Sequence, residues 1–311
     1  MLEYTESLSR LPELLLPWYR SVARDLPWRR DTVPYHVWLS EIMLQQTRVE
    51  AVRQYYIRFL AALPTIEALA AAEEAVLQKL WEGLGYYTRV RNLQKAAQVI
   101  MEEHNGTFPS DYDAIRALPG IGDYTAGAVA SICFEAPTPA VDGNVLRVIS
   151  RVTASAAPID ATATKRAVTQ ALAAVYPEGT CGAFTQALME LGATVCIPNG
   201  APRCEVCPLA EICQAHKQGV AQDLPVKAKK KARRIEEKTV FLLHCESNWA
   251  IEKRPNRGLL ARLWQFPNTE GTLSPEEAIR LAERWGVKPI ELEKQLNRTH
   301  IFTHVEWHMT A

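Results

Sequence analysis

Four of the seven cysteines lie close together near the middle of the chain. Cys196, Cys204, Cys207 and Cys213 have the spacing C-x7-C-x2-C-x5-C. Clustered cysteines are typical of metal ligation in a protein that is not exported, and the first residues show no basic-then-apolar export signal. The spacing therefore predicts a site with four thiolate ligands. Zinc and an iron–sulfur cluster are both suitable occupants of such a site.

A Pro-Gly-x-Gly turn between two helical segments could bind a phosphate. Residues 118–126 read Leu-Pro-Gly-Ile-Gly-Asp-Tyr-Thr-Ala, and Gly120 and Gly122 permit a tight hairpin that other backbones can approach closely. A helix begins directly after the turn, so its free N–H groups would face a phosphate without reading any base. The same turn can also serve as a plain connection between helices.

Two carboxylates are candidates for acid–base chemistry. Glu41 lies in residues 38–49, Trp-Leu-Ser-Glu-Ile-Met-Leu-Gln-Gln-Thr-Arg-Val. Its largely apolar neighbours predict burial, and burial raises the pKa of a carboxyl group. Asp142 precedes Gly143 and Asn144, eighteen residues after Tyr124, and its simplest interpretation is the N-cap of a helix.

The elements that would position these residues are mostly helices. Apolar residues recur at helical spacing from the first helix onward, a second helix is predicted from about residue 37 to 63, and no alternating strand pattern occurs before about residue 195. Residues 217–238 predict a flexible basic linker, either a solvated spacer or a phosphate contact. Residues 239–311 combine strand-like runs with a helix, which predicts a smaller α/β domain that is incomplete in this chain.

Charge gives no support for a nucleic-acid partner. Lys plus Arg and Asp plus Glu both number 35. Residues 1–216 hold 18 basic against 23 acidic residues, a net charge of −5, so any DNA surface there must be a local patch. No run of eighteen apolar residues occurs, and we expect a soluble, cytoplasmic protein that does not enter membranes.

Together, the hairpin and Asp142 resemble the helix–hairpin–helix DNA glycosylase superfamily. The resemblance implies that Asp142 faces the sugar of an extruded nucleotide. Members of the superfamily that also cut the backbone carry a lysine where this chain has Tyr124. A lysine amine attacks the sugar carbon and forms a Schiff base, which tyrosine cannot do. The resemblance therefore implies removal of a base without strand cleavage.

Residues 27–29, Pro-Trp-Arg, and residues 38–49 resemble the MutY family, whose members remove adenine mispaired with 8-oxoguanine or guanine. The resemblance implies that Glu41 protonates the adenine and helps to activate water, while Asp142 stabilises the oxocarbenium-like sugar and Tyr124 and Asn144 position it. Gln46 would wedge into the base stack, and Tyr86 would stack beside 8-oxoguanine. The further residues expected to contact DNA are Arg29, Gln45, Thr47, Arg48, Leu84, Arg89, Gly120, Gly122 and Thr125.

The cysteine cluster and the C-terminal domain extend this resemblance. In the family four cysteines hold a [4Fe–4S] cluster, although the first interval here has seven residues where the family has six. Residues 239–311 resemble a Nudix-like domain, but three of the four helix residues that hold Mg²⁺ in a Nudix hydrolase are missing at positions 279–284. The resemblance therefore implies lesion recognition without hydrolysis, through Phe302, Thr303 and His304.

The predicted fold is an all-α, two-lobed helix–hairpin–helix domain over residues 1–216, with lobes at 28–138 and at 1–27 plus 139–216, followed by the linker and the α/β domain. The predicted activity is that of a monofunctional adenine DNA glycosylase, which acts as a monomer on double-stranded DNA. Two alternatives remain: a glycosylase for thymine in G·T mispairs, and a non-catalytic iron–sulfur protein that binds DNA. The Glu41/Asp142 pair and the Nudix-like domain favour the adenine enzyme.

Tyr124 predicts the form of the reaction product. Because its phenol cannot form a Schiff base, we expect the DNA strand to remain intact until alkali cleaves it at the abasic site. The measurement is gel electrophoresis of a labelled duplex before and after alkali. Efficient trapping of the wild-type protein on DNA by borohydride would contradict this expectation.

Overall fold

Helices form nearly all of the first part of the chain. The computed structural model describes residues 5–228 and 232–311, and the chain folds into two units, Met1–Ala228 and Lys229–Ala311. Short 3₁₀ turns occur at Pro27–Arg29 and Cys204–Val206. The helices of the first unit are α1 Thr5–Ser9, α2 Leu11–Val22, α3 Pro34–Leu44, α4 Val49–Ala62, α5 Ile66–Ala71, α6 Glu74–Trp81, α7 Thr88–Glu103, α8 Tyr112–Ala117, α9 Asp123–Phe134, α10 Gly143–Val152, α11 Thr162–Ala173, α12 Cys181–Thr194 and α13 Gln214–Lys217.

The single helix predicted over residues 37–63 is in fact two helices, α3 and α4. The chain leaves α3 at Leu44 and re-enters a helix at Val49. Between them Gln46 adopts a left-handed backbone with φ +60°, which an α-helix cannot contain. Four polar residues, 45–48, interrupt the apolar spacing, which resumes at Val49 and Val52, and the prediction joined the two stretches into one helix.

Two separate apolar cores divide the first unit into two lobes. The first core draws on residues 26–140 and includes the fully buried Trp38, Phe59 and Trp81. The second core joins residues 8–15 to residues 145–212 and includes the buried Phe184. We call these the first and second lobes. The N-terminal helices therefore pack on the second lobe, together with residues far along the chain.

Residues 217–238, predicted as a flexible linker, are largely ordered. Leu224 is buried, and the backbone N–H of Ile159 donates to the carbonyl of Val226 at 3.0 Å. The strand β1 already begins at Arg234. The few apolar residues of this segment are thus enough to fix its first half on the first unit, and the remaining basic residues 229–231 lie outside the described part of the chain.

The second unit is a mixed α/β fold, as the sequence predicts. Its four-stranded sheet has the order β6-β1-β8-β7, in which β1 and β8 are parallel and the other pairs are antiparallel. Phe241 packs edge-on against Trp285, with ring centroids 4.7 Å apart. The elements of this unit are β1 Arg234–Val240, β2 His244–Cys245, β3 Asn248–Trp249, β4 Glu252–Lys253, β5 Trp264–Gln265, β6 Asn268–Glu270, α14 Pro275–Arg284, β7 Asn297–Ile301 and β8 Val305–Thr310.

Within the described residues, no helix is both long enough and apolar enough to cross a lipid bilayer.

Candidate active-site cleft

A cleft of about 1160 Å³ is lined by residues of both lobes of the first unit. The four predicted catalytic side chains all line it, although they come from three separate segments of the chain. Glu41 lies on α3 and Tyr124 on α9, which belong to the first lobe, whereas Asp142 and Asn144 lie at the start of α10 in the second lobe. The lobes therefore bring together the residues that the motifs singled out.

Glu41 is a buried carboxyl group at the wall of the cleft. Only 6% of its surface is exposed, and its Oε2 accepts a hydrogen bond from the Tyr124 hydroxyl at 2.5 Å. Burial raises the pKa of Glu41 to about 7, against the opposing effect of the Tyr124 hydrogen bond. A carboxyl group with such a pKa holds a proton near neutral pH and can donate it to a bound base.

Asp142 is held at the N-terminus of α10 by two hydrogen bonds. Its Oδ1 accepts from the backbone N–H of Val145 and its Oδ2 from the side-chain amide of Asn144, both at 2.8 Å. Burial raises the pKa of Asp142, while these donors favour the ionised form. The N-cap interpretation and the catalytic interpretation are therefore compatible, since the cap fixes the carboxylate beside the cleft.

Arg147 holds the Asn144 side chain in place by a hydrogen bond. Its Nη2 donates to Asn144 Oδ1 at 2.8 Å and to the carbonyl of Gly192 at 2.6 Å, and its Nε donates to the carbonyl of Cys196 at 2.7 Å. A Cβ at position 192 would lie 2.5 Å from the Asn144 Cβ. Glycine is thus required for the close approach of α12 to α10, and the Asn144–Arg147 contact extends to the first cysteine of the cluster.

Glu190 is a functional candidate that the motifs did not identify. It is 1% exposed on α12, and it binds Arg24 at 2.6 Å and Arg29 at 2.8 Å. Burial pushes the pKa of Glu190 up, but the Arg24 hydrogen bond and the charge of Arg29 outweigh burial and lower it. In sequence it resembled any glutamate in an apolar helix, because its partners lie more than 160 residues away.

The hairpin has the predicted tight geometry. Gly120 has φ +78°, and a Cβ there would meet the Asn92 side chain at 2.6 Å. Gly122 is the N-cap of α9 and is exposed. The first N–H groups of α9 lie directly after it, as a phosphate-binding turn requires.

Arg89, predicted to contact DNA, instead binds the protein's own backbone. Its Nη1 donates to the carbonyls of Ile42, Met43 and Gln45 at 2.8–3.0 Å. Its Nη2 donates to the carbonyls of Leu84 and Gly85. These bonds join the loop that contains Gln46 to the loop that contains Tyr86. Because they occupy both terminal nitrogens of Arg89, its guanidinium group is not free to bind a phosphate.

The remaining predicted DNA contacts differ in exposure. Gln46 and Tyr86 are exposed, each with a left-handed backbone, and Arg48 is exposed at the N-terminus of α4. Leu84 is 7% exposed and packs in the first core, and Thr125 is 2% exposed. The Leu84 side chain therefore differs from the expectation of a DNA contact, whereas Thr125 lines the cleft. The cleft is also lined by Arg29, Gln45, Gln46, Thr47 and Gly122.

The four clustered cysteines line one small cavity in the second lobe. Arg151 on α10 donates from Nη1 to the sulfur of Cys196 at 3.2 Å and to the carbonyl of Ile197 at 3.0 Å. No group of three or more His, Cys, Asp or Glu residues converges as ligands of a single metal ion within the described parts of the chain. The donor set, four sulfurs beside a cation, fits an anionic thiolate-bound cluster.

In the second unit, Phe302, Thr303 and His304 form the turn between β7 and β8. The Phe302 ring lies between His300 and Trp307, at centroid distances of 4.4 and 4.9 Å. Thr303 and His304 are exposed. The aromatic contacts fix the base of the turn, so its tip presents two polar side chains.

Comparisons with known proteins agree with this architecture. Residues 39–177 match the model of the HhH-GPD superfamily base excision DNA repair proteins, and residues 239–311 match the NUDIX domain. A solved structure of a thermostable thymine-DNA glycosylase superimposes with a TM-score of 0.62 and 26% identity, covering 68% of this chain and 98% of that chain. The class is therefore a helix–hairpin–helix base-excision glycosylase with a Nudix-like unit.

Relatives along the whole chain narrow the assignment. The adenine DNA glycosylase of Mus musculus is 36% identical over 94% of this chain and 68% of its own length. That of Buchnera aphidicola subsp. Schizaphis graminum is 32% identical over 96% of this chain and 84% of its own length. The chain belongs to the adenine DNA glycosylase family. The predicted MutY resemblance, fold class and glycosylase class are thereby confirmed.

The protonation of Glu41 predicts how the reaction depends on pH. If the carboxyl group with a pKa of about 7 is the proton donor, excision should be fastest below about pH 7. Each further pH unit should lower it by about tenfold, because only the protonated form donates. Glu41→Gln should reduce single-turnover excision by ~10²-fold or more and remove this pH dependence, while DNA binding persists. Excision by Glu41→Gln at a near-normal rate would exclude Glu41 as the acid.

Proposed function

We propose that this protein removes adenine mispaired with 8-oxoguanine or guanine from double-stranded DNA, by hydrolysing the N-glycosidic bond. The observation that carries the proposal is the buried, hydrogen-bonded Glu41 facing the same cleft as Asp142. One carboxyl group holds a proton near neutral pH, and the other is capped by donors that favour its charge. The protonated carboxyl group can give its proton to the leaving base, and the charged carboxylate can stabilise the cation that develops on the sugar.

The proposed reaction begins with an adenine extruded from the duplex into the cleft, at the unstacking cost that base flipping requires. Glu41 donates its proton to the adenine ring, so the C–N bond breaks with the electron pair leaving on a neutral base. Asp142 stabilises the cationic sugar electrostatically. Glu41, now ionised, accepts a proton from the attacking water, and an abasic site remains. Tyr124 holds Glu41, and Asn144 holds Asp142.

Arg29 and Glu190 are proposed to recognise the edge of the adenine. Arg29 lines the cleft, and its Nη1 is buried with no hydrogen-bond partner among the described residues. An unpaired buried donor is costly unless a ligand satisfies it. Ring nitrogens of adenine are acceptors of the required kind, and thymine offers carbonyl oxygens in a different arrangement. The Glu190 ion pair would fix the direction in which Arg29 points.

Recognition of the opposite base is proposed to involve two places on the chain. Gln46 and Tyr86 are exposed on loops that Arg89 joins, which suits a wedge and a stacking platform. The Phe302–His304 turn of the second unit supplies an exposed hydroxyl and an imidazole. We propose that this unit reads 8-oxoguanine and that the protein acts as a monomer.

A panel of labelled duplexes tests the proposed function. We expect single-turnover release of adenine opposite 8-oxoguanine and opposite guanine, and none from normal A·T pairs. The measurement is alkaline cleavage of the adenine strand over time. Release of thymine from G·T mispairs without adenine release would favour the thymine enzyme. DNA binding with no release of any base would favour the non-catalytic alternative.

The ratio of the excision rates of adenine opposite 8-oxoguanine and opposite guanine tests whether the second unit reads the lesion. Thr303→Ala with His304→Ala should slow excision opposite 8-oxoguanine more than opposite guanine, by about fivefold per lost contact of ~1 kcal/mol. Thr272→Ala with His244→Ala removes the same residue types elsewhere in this unit and serves as the control. An unchanged ratio in a folded variant would mean that the turn does not read the lesion.

We further propose that Cys196, Cys204, Cys207 and Cys213 hold a [4Fe–4S] cluster. When bound, the cluster would join the loop of residues 196–213 through four thiolates. Arg151 beside the Cys196 sulfur would offset the negative charge, and Arg147 would transmit the order of this loop to Asn144. No catalytic step requires the cluster itself.

Metal analysis of the purified protein tests this assignment. We expect a yellow-brown protein with broad visible absorption and about four irons per chain, as Cys₄ ligation of one [4Fe–4S] cluster requires. Cys207→Ser should lower iron content and thermal stability. Cys245→Ser, which changes an exposed cysteine outside the cluster, should leave both unchanged. Colourless protein with stoichiometric zinc would refute the assignment.

A further inference from the structure

One polar face of α11 lines the cleft from the side of the second lobe. The opposite face packs inward, with Val168 and Leu172 buried in the second core. The residues that face the cleft recur at the helical spacing of three and four positions, and they are Thr162, Lys165, Arg166, Thr169 and Gln170. No sequence motif pointed to this helix.

The two cations of this face differ from the other cations in the cleft. Arg24 and Arg29 bind Glu190, and Arg116 binds Asp123. Within residues 5–228 and 232–311, Lys165 and Arg166 have no carboxylate partner, and both are exposed. They are therefore the cleft cations whose charge is still available to a ligand.

No acidic residue of α11 itself offsets this charge. The helix contains no Asp or Glu. The acid just before it, Asp160, accepts a hydrogen bond from the backbone N–H of Ala228 at 2.9 Å. In residues 1–216, where acidic residues outnumber basic ones by five, an acid-free helix with two cations on its cleft face is a local positive patch of the kind an anion requires.

We infer that the cleft face of α11 is a second binding site for the DNA backbone, separate from the hairpin, at which Lys165 and Arg166 each contact a phosphate. Thr162 and Thr169 supply hydroxyl donors on the same face. The inference rests on the proposed function, since it takes DNA as the ligand of the cleft. The hairpin and α8 line the cleft from the first lobe and α11 lines it from the second. A duplex held at the hairpin thus meets cations on the other wall, which fix its position without reading its sequence.

Salt dependence of DNA binding tests this site. In a Glu41→Gln background, which prevents turnover, Lys165→Ala with Arg166→Ala should weaken binding of an A:8-oxoguanine duplex by roughly tenfold or more near ~0.1 M salt. The slope of log Kd against log salt should fall by about 1.8, since each phosphate contact contributes about 0.9. Both residues are exposed and alanine favours helices, so the fold should persist.

Two matched variants complete the experiment. Lys165→Arg with Arg166→Lys keeps both charges and should keep the wild-type slope. Arg20→Ala with Lys95→Ala removes two exposed charges that do not line the cleft and should change neither slope nor affinity. An unchanged slope in the alanine variant, or an equal fall in the Arg20/Lys95 control, would overturn the inference. The wild-type protein's release of adenine is scored separately, so failure of the proposed function remains distinguishable from failure of this site.

Discussion

The ion pairs around Glu190 are the constraint on which the active-site cleft depends. Glu190 belongs to α12 of the second lobe, Arg29 to the first lobe, and Arg24 to the segment that crosses between them. Removing one partner of a buried pair typically costs ~3–5 kcal/mol, a cost that applies more fully to Arg29, which is 13% exposed, than to Arg24, which is 33% exposed. The ion pairs thereby join the two lobes beside the part of the cleft that Arg24 and Arg29 line. Glu41 and Asp142 come from opposite lobes, so their relative position depends on this contact together with the packing of α12 against α9, where the Thr185 hydroxyl donates to Ser131 at 2.8 Å.

The catalytic residues were predictable from sequence because each sits in a short motif. Glu41 stands in an apolar helical run, and Asp142 and the Gly120–Gly122 hairpin carry local capping and turn signals. Their burial and hydrogen bonds agree with those signals. The fold class was also predictable, since helical spacing dominates the first 195 residues. Their roles in catalysis and DNA contact remain predictions.

The sequence could not reveal contacts between residues that lie far apart in the chain. Glu190 becomes informative only once Arg24 and Arg29 are beside it. Arg89 shows the same limit, because an arginine next to a glycine-rich aromatic loop suggests a phosphate contact, whereas its guanidinium is taken by backbone carbonyls. The break between α3 and α4 depends on the same distant contact. The carbonyls of Ile42, Met43 and Gln45 are left unpaired where the helix ends, and Arg89 donates hydrogen bonds to them.

Gln46 and Tyr86 both occupy a left-handed backbone conformation that non-glycine residues seldom adopt. Arg89 holds their loops together before any DNA is present, so the strain is offset during folding of the protein. In the proposed function, a loop prepared in this way loses little conformational entropy when it contacts the duplex. A glycosylase must inspect many base pairs for each lesion that it finds. Under that function, the time spent at each base pair depends on how readily the DNA itself opens, and mispaired steps, which unstack most easily, hold the protein longest.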